Sequence, residues 1–169
     1  MRFYTVSHQH YCGIDLHTKV MYLCILNQAG EVLLHRNMKS EPQAFLSAIA
    51  PYREDLVVGA ECIFCWYWLA DLCAREGIRF VLGHALYMKA IHGGKVKNDR
   101  IDSAKIAGLL RGGMFPLAYV YPAAMRSTRD SHAPAPVSGA PACGALGPRA
   151  EHQQPVEPAA VREEARSQE

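Results

Sequence analysis

Short apolar runs separated by polar residues dominate the first part of the chain. Residues 10–16 and 20–26 have the pattern of two strands, and the Asn-Gln-Ala-Gly stretch at 27–30 predicts a hairpin turn after the second. Residues 31–36 predict a third, shorter strand. The chain is therefore expected to begin as an antiparallel meander.

Helices and buried strands alternate in the next part. Residues 40–51 predict a helix with Pro42 in its first turn, where the missing N–H costs nothing. Residues 56–60 and 78–82 are apolar runs typical of buried strands, and the amphipathic residues 65–75 predict a helix between them. Such a crossover unit pairs its strands in parallel. A meander followed by this unit is the ribonuclease-H-like order, so the expected fold class is α/β, a mixed sheet with flanking helices.

Two further helices and a tail complete the pattern. Residues 85–91 predict a short helix, 92–97 a basic loop, and 98–111 a longer helix. The apolar residues expected on the inner side of that helix are Ile101, Ile106, Leu109 and Leu110. Residues 131–169 contain six of the ten prolines and no Phe, Trp or Tyr, so they cannot bury enough apolar surface to fold. We expect one folded domain at 8–128 and a disordered C-terminal tail at 131–169.

Composition narrows the class of protein. Half of the 169 residues are apolar, which is enough for one domain with a core. The net charge is only +2, but residues 1–130 hold 15 Lys and Arg against 11 Asp and Glu, so the folded part is basic. No apolar run approaches the roughly 20 residues that span a bilayer. A soluble, cytoplasmic protein with reduced cysteines and no membrane partner is expected.

Four carboxylates stand where predicted elements begin or end: Asp15, Glu61, Asp99 and Asp102. A carboxylate at the end of a buried strand needs a compensating charge, and Mg²⁺ is a common partner of clustered acids. Each acid also has a simpler interpretation. Asp15 could be an exposed acid, and Glu61 could favour a helix N-terminus. Asn98 or Asp99 could cap the helix that follows, and Asp102 could favour its first turn. If the four converge, the pattern predicts a Mg²⁺ or Mn²⁺ site for phosphodiester chemistry.

Several other groups have both a functional and a structural interpretation. The basic residues around the last acid pair could contact a nucleic-acid backbone or form a solvated face; they are Lys89, Lys95, Lys97, Arg100 and Lys105. Cys62 and Cys65 could bind zinc, but no second ligand pair stands at a suitable distance, so core packing is favoured. The aromatic residues 66–68 are likewise expected in the core rather than stacked on bases. None of the eight histidines has a spacing that predicts a ligand.

Four segments together resemble the N-terminal domain of the DEDD transposases, the insertion-sequence recombinases of the one-ten family. They are Gly-Ile-Asp at 13–15, the segment from Glu61 to 72, residues 83–89, and Lys-Asn-Asp-Arg-Ile-Asp-Ser-Ala at 97–104, the most specific of the four. The resemblance implies a RuvC-like domain for DNA recombination. It also implies that Asp15, Glu61, Asp99 and Asp102 form a catalytic, metal-binding tetrad. Family members use a second domain with a nucleophilic serine and a guide RNA from their own element.

The sequence departs from this family after about residue 130. The family continues with a basic helical region and the serine domain, whereas this chain continues with the Pro-rich tail, and none of its serines can be assigned as the nucleophile. Codons can be chosen for residues 143–169 so that a neighbouring frame resembles the family's continuation. We therefore expect a frameshifted, truncated transposase that is inactive alone, and the nucleotide sequence of the gene tests this expectation.

Two other functions remain open at this point. The domain could be a stand-alone ribonuclease-H-like nuclease or Holliday-junction resolvase, which would cut branched DNA without a second domain. It could instead be a non-catalytic binding partner of a full-length transposase or of its guide RNA, or form a homo-oligomer.

Overall fold

The described part of the chain, residues 2–62, 65–92, 98–122 and 125–126 of the computed structural model, contains seven strands and four helices. The strands are β1 (Phe3–Tyr4), β2 (His10–Leu16), β3 (Val20–Asn27), β4 (Val32–Lys39), β5 (Leu56–Glu61), β6 (Arg79–Gly83) and β7 (Phe115–Pro116). The helices are α1 (Pro42–Ile49), α2 (Tyr67–Arg75), α3 (Ala85–His92) and α4 (Asp99–Arg111), and a 3-10 turn covers Ala50–Tyr52.

Five of the strands form one mixed sheet in the order β4-β3-β2-β5-β6. The central strand β2 pairs antiparallel with β3 and parallel with β5, and β5 pairs parallel with β6 across α2. Gly30 closes the β3–β4 hairpin with a positive φ of 89°, which glycine adopts without strain, and donates its N–H to the carbonyl of Asn27. The meander, the parallel crossover and the ribonuclease-H-like α/β sheet predicted from the sequence are confirmed.

One face of the sheet packs against α1 and α2. Successive side chains of a strand point to opposite faces, so Ile14 of β2 and Val58 of β5 both reach this side. They are fully buried with Phe45 of α1 and Leu69 of α2. Each such side chain contributes about 1.5–3 kcal/mol relative to an exposed one. This core fixes the position of β2, the strand that carries Asp15.

The opposite face of the sheet packs against α4. Tyr11 of β2 and Val57 of β5 bury against Ile106 and Leu110 of the helix. The two-residue strands β1 and β7 pair with each other and close this second core at Phe115. The sheet therefore lies between two helical layers, and α4 forms the layer on the Asp15 side.

The structure differs from the sequence predictions in local details. Ile101, expected on the inner side of its helix, is 42 % exposed, because it lies in the first turn of α4 beyond the edge of the second core. Ile106, Leu109 and Leu110 are buried as expected. Helix α2 begins at Tyr67 rather than at residue 65, and β4 extends to Lys39 rather than ending at residue 36.

Part of the predicted organisation lies outside the described residues. The basic loop at 93–97, the end of the predicted domain at 127–128 and the tail at 131–169 belong to this part, and the predicted disorder of the tail stays a prediction. In the portion that the structure does describe, every helix is too short or too polar to cross a membrane.

Candidate metal centre

Asp15 is a buried carboxylate at the end of the central strand. Only 7 % of the residue is exposed, so the interpretation as a surface acid is wrong. Burial raises the pKa of Asp15, the nearby Asp99 and Asp102 raise it further, and His17 partly opposes the shift. The ionised form of Asp15 is therefore costly in this position unless a positive charge lies beside it.

Helix α4 brings the second pair of acids to Asp15 because Gly13 lets it pack closely on β2. A Cβ atom at Gly13 would lie 2.3 Å from both the nitrogen of Ala107 and the carbonyl oxygen of Ser103. His35 of β4 also holds the helix, since its Nε2 lies 2.9 Å from the carbonyl oxygen of Arg100 and donates to it. These contacts place the first turn of α4 over the end of β2.

Asn98 caps α4, which defines where the acids of its first turn lie. Its side-chain oxygen accepts a hydrogen bond of 3.0 Å from the backbone N–H of Arg100. The sequence left open whether Asn98 or Asp99 caps this helix, and the structure shows that Asn98 does. The Asp99 side chain is 54 % exposed and remains available to a ligand.

Three side chains form what we call the ligand cluster: Asp15, His17 and Asp99. Nε2 of His17 lies 3.6 Å from a carboxylate oxygen of Asp15 and 3.6 Å from one of Asp99. One ligand atom from each of the three lies within 4.8 Å of the other two. Ligands around a six-coordinate ion with bonds of about 2.1 Å are roughly 3.0 Å apart when adjacent and roughly 4.2 Å when opposite. The donor types and their spacing therefore fit one divalent ion.

Asp102 and Glu61 lie at the margin of this arrangement. Asp102 influences the pKa of Asp15, but its carboxylate forms an ion pair of 3.0 Å with Lys105. Glu61 follows Ala60, which pairs with Ile14, so Glu61 and Asp15 end neighbouring strands. It is six residues before α2, too far to be the N-terminal acid of that helix. Among the described residues, neither acid belongs to the ligand cluster.

His17 is the member of the cluster that sequence reasoning missed. The spacing of the eight histidines along the chain does not predict it. The usable signal was the Asp15-x-His17 alternation, because residues two apart on an extended strand share a face. That pattern is common in proteins, and it indicates a ligand here only because Asp99 lies beside the same histidine.

The four predicted nucleic-acid-binding residues differ in what the structure shows of them. Lys95 and Lys97 lie outside the described residues. Arg100 is exposed in the first turn of α4, beside Asp99. Lys105 forms an ion pair of 3.0 Å with Asp102, which is neither of the two roles expected from the sequence. Binding of DNA by these residues stays a prediction.

The thiols and aromatic residues near Glu61 have the structural role that was favoured. Cys62 and Cys65 are half-buried and pack against the first core. Trp66 is fully buried there, and Tyr67 and Trp68 pack against it. No zinc site is found among the described residues at these cysteines.

Comparison with known proteins identifies the family. The family model of the DEDD transposases of IS110, described as a transposase, matches residues 12–132. No curated protein matches the chain. The match covers the sheet except for the first two residues of β2, and it includes α4 and every residue of the ligand cluster. The chain therefore belongs to the DEDD transposases of the IS110 family, and its transposase function follows from that membership.

Proposed function

We propose that this transposase domain supplies the metal-dependent part of DNA strand cleavage and transfer during transposition of an insertion sequence, with a divalent metal ion held at the ligand cluster, and that it is inactive without the serine domain that family members use. Membership of the family implies use of a divalent ion and DNA as the substrate. The observation that carries the proposal is the convergence of Asp15 and Asp99. They are far apart in the sequence, and each lies 3.6 Å from the same atom of His17.

Asp15, His17 and Asp99 would hold the ion, and the family resemblance implies that Glu61 and Asp102 complete the tetrad. When bound, a Mg²⁺ or Mn²⁺ ion would stabilise negative charge on a phosphodiester oxygen. Only 7 % of Asp15 is exposed, so little water can solvate its charge. Its raised pKa supports the proposal, because an added cation would favour the ionised form.

The first turn of α4 would receive the DNA backbone beside the ion. Arg100 is exposed next to Asp99, and the positive end of the helix dipole lies in the same turn. We propose that Arg100 and Lys105 contact phosphates together with Lys95 and Lys97. Replacing Arg100 by Gln should weaken DNA binding at all sequences and reduce the salt dependence of log K by about 1. An unchanged slope would remove Arg100 from the interface.

Calorimetric titration of the full chain with Mg²⁺ and Mn²⁺ tests the metal centre. Asp15→Asn and Asp99→Asn should each abolish binding, whereas Glu54→Gln should not. Glu54 is exposed and lies before β5, at the opposite end of the strands. Its substitution makes the same change in charge. Metal binding by the parent that survives both Asp substitutions would contradict the proposed site.

The substrate distinguishes this function from the two alternatives. When the family's serine domain is supplied, a transposase domain should support cutting of DNA that carries the ends of its own insertion sequence, while a resolvase should cut any four-way junction alone. We propose that further copies of the transposase and the element's guide RNA are its partners, and that it works in the bacterial cytoplasm on the nucleoid. Co-purification of that RNA with the chain, lost after ribonuclease treatment, would support this. DNA binding without cleavage in Mn²⁺ would favour a non-catalytic partner.

Residues 131–169 should take no part in metal or DNA binding because their composition disfavours folding. A chain ending at residue 130 should bind both as the full chain does. Weaker binding by the shortened chain would give the tail a role.

A further inference from the structure

We propose that His17 is a direct nitrogen ligand of the ion, and that it makes this centre bind Co²⁺ much more tightly than Mg²⁺. The inference rests on the proposed function of the ligand cluster. It adds to the four family acids a ligand of a different chemical class, contributed by the hairpin between β2 and β3.

The position of the imidazole carries the inference. Nε2 is the atom that faces the site, and it is equally distant, 3.6 Å, from the carboxylates of Asp15 and Asp99. His17 interacts with Asp15, but the two equal distances show that the imidazole is not paired with that carboxylate alone. His17 instead stands between the two acids at distances that suit three ligands around a common ion.

The backbone of His17 is held by two hydrogen bonds, which fix the point from which the imidazole reaches the ligand cluster. Its N–H donates to the carbonyl of Val20 at 3.0 Å, which closes the hairpin. Its carbonyl oxygen accepts a hydrogen bond of 2.6 Å from the hydroxyl of Ser40. A ligand on a fixed backbone loses less conformational entropy when it binds the ion.

Ligand chemistry gives the consequence for metal choice. Mg²⁺ prefers oxygen ligands and retains much of its water, whereas imidazole nitrogen suits later transition metals. Two carboxylates and one imidazole therefore favour Co²⁺ over Mg²⁺ by more than three carboxylates would. The imidazole must be neutral to bind, with its proton on Nδ1, since Nε2 is the atom directed at the carboxylates.

The test uses the full chain without a histidine tag, and compares the parent with His17→Gln, His10→Gln and Asp15→Asn. His10 is the first residue of β2, at the end of the strand away from the ligand cluster, and it serves as the matched histidine control. Electron spin-echo spectroscopy with Mn²⁺ detects ¹⁴N bound to the ion, and calorimetry gives the affinities for Co²⁺ and Mg²⁺. Circular dichroism verifies that each variant folds.

The parent and His10→Gln should show the ¹⁴N signal, and His17→Gln should lose it. His17→Gln should bind Co²⁺ at least about tenfold more weakly, while its affinity for Mg²⁺ changes less than about threefold. If Asp15-dependent Mn²⁺ binding occurs without a ¹⁴N signal, or the signal survives in His17→Gln, the nitrogen ligand is refuted and the proposed metal centre stands. If the parent binds no ion, both proposals fail.

Discussion

Replacing Gly13 by Ala tests whether close packing of α4 on the central strand builds the metal centre. The new Cβ would lie 2.3 Å from the backbone of Ser103 and of Ala107, and ordinary contacts begin at 3.4 Å. Both neighbours are backbone atoms of a helix, so no side-chain rotation relieves the overlap. The helix would have to move away from β2 by about 1.1 Å, and Asp99 would move with it.

The magnitude follows from this displacement. Overpacking a core in this way costs about 1–3 kcal/mol of unfolding free energy. In urea, with a slope of about 2 kcal/mol per M, the midpoint would fall by roughly 0.5–1.5 M. The affinity for Mn²⁺ should fall by about 10- to 100-fold, because the helix that supports Asp99 is displaced.

Urea unfolding and Mn²⁺ calorimetry on the same samples provide the assay, and Gly108→Ala provides the control. Gly108 is on the same helix, but a Cβ there meets nothing within 4 Å. Alanine in a helix interior should stabilise the fold by about 1 kcal/mol and leave metal binding unchanged. The close packing of α4 on β2 would be refuted if Gly13→Ala had an unfolding free energy within about 0.5 kcal/mol of the parent and an unchanged affinity for Mn²⁺.

Three further predictions concern single side chains. Burial raises the pKa of Asp15, so its ionised form destabilises the fold at pH 7 and Asp15→Asn should raise the melting temperature in the absence of metal. The further rise that Mn²⁺ causes in the parent should be absent from this variant. A lower melting temperature for Asp15→Asn would contradict this prediction. A hydrogen bond from His8 lowers the pKa of Asp55, so the stability that Asp55 supplies is present above about pH 4 and is lost as the pH falls through the lowered value. Acid titration followed by circular dichroism should show a shallower loss for Asp55→Asn than for the parent, and parallel curves would argue against the pair. Arg126 donates hydrogen bonds of 2.7 and 2.8 Å to both oxygens of Asp71. Arg126→Ala should lower the unfolding free energy in urea by about 1–2 kcal/mol, and Arg126→Lys should recover less than half of it, since lysine cannot form both bonds.

Features that depend on neighbouring residues were predictable from the sequence. β2 was predicted at 10–16 and is observed at His10–Leu16, because a short apolar run bounded by polar residues is typical of a strand that is buried on both faces. The capping role of Asn98 and the end of α4 at Gly112 likewise follow from local hydrogen bonding. The order of these elements was sufficient to predict the fold class.

Features that depend on contacts between residues far apart in the sequence were not predictable in this way. β1 and β7 have only two residues each and exist because they pair with each other, so neither has a pattern of its own. Ile101 follows the apolar pattern of its helix, yet it is exposed because the second core ends before the first turn of α4.

The sequence by itself determined the central strand, the crossover unit and the acids at their ends, since these follow from periodicity and local capping. Only the tertiary structure decided which acids meet. Gly13 could be recognised as part of a motif, but its close contact with α4, which sets the position of Asp99, is a contact between two faces. His17 became a candidate ligand in the same way. Its closeness to Asp15 follows from their spacing in the sequence, but its separation of 3.6 Å from Asp99 arises from packing of a helix on a sheet, which no local pattern encodes.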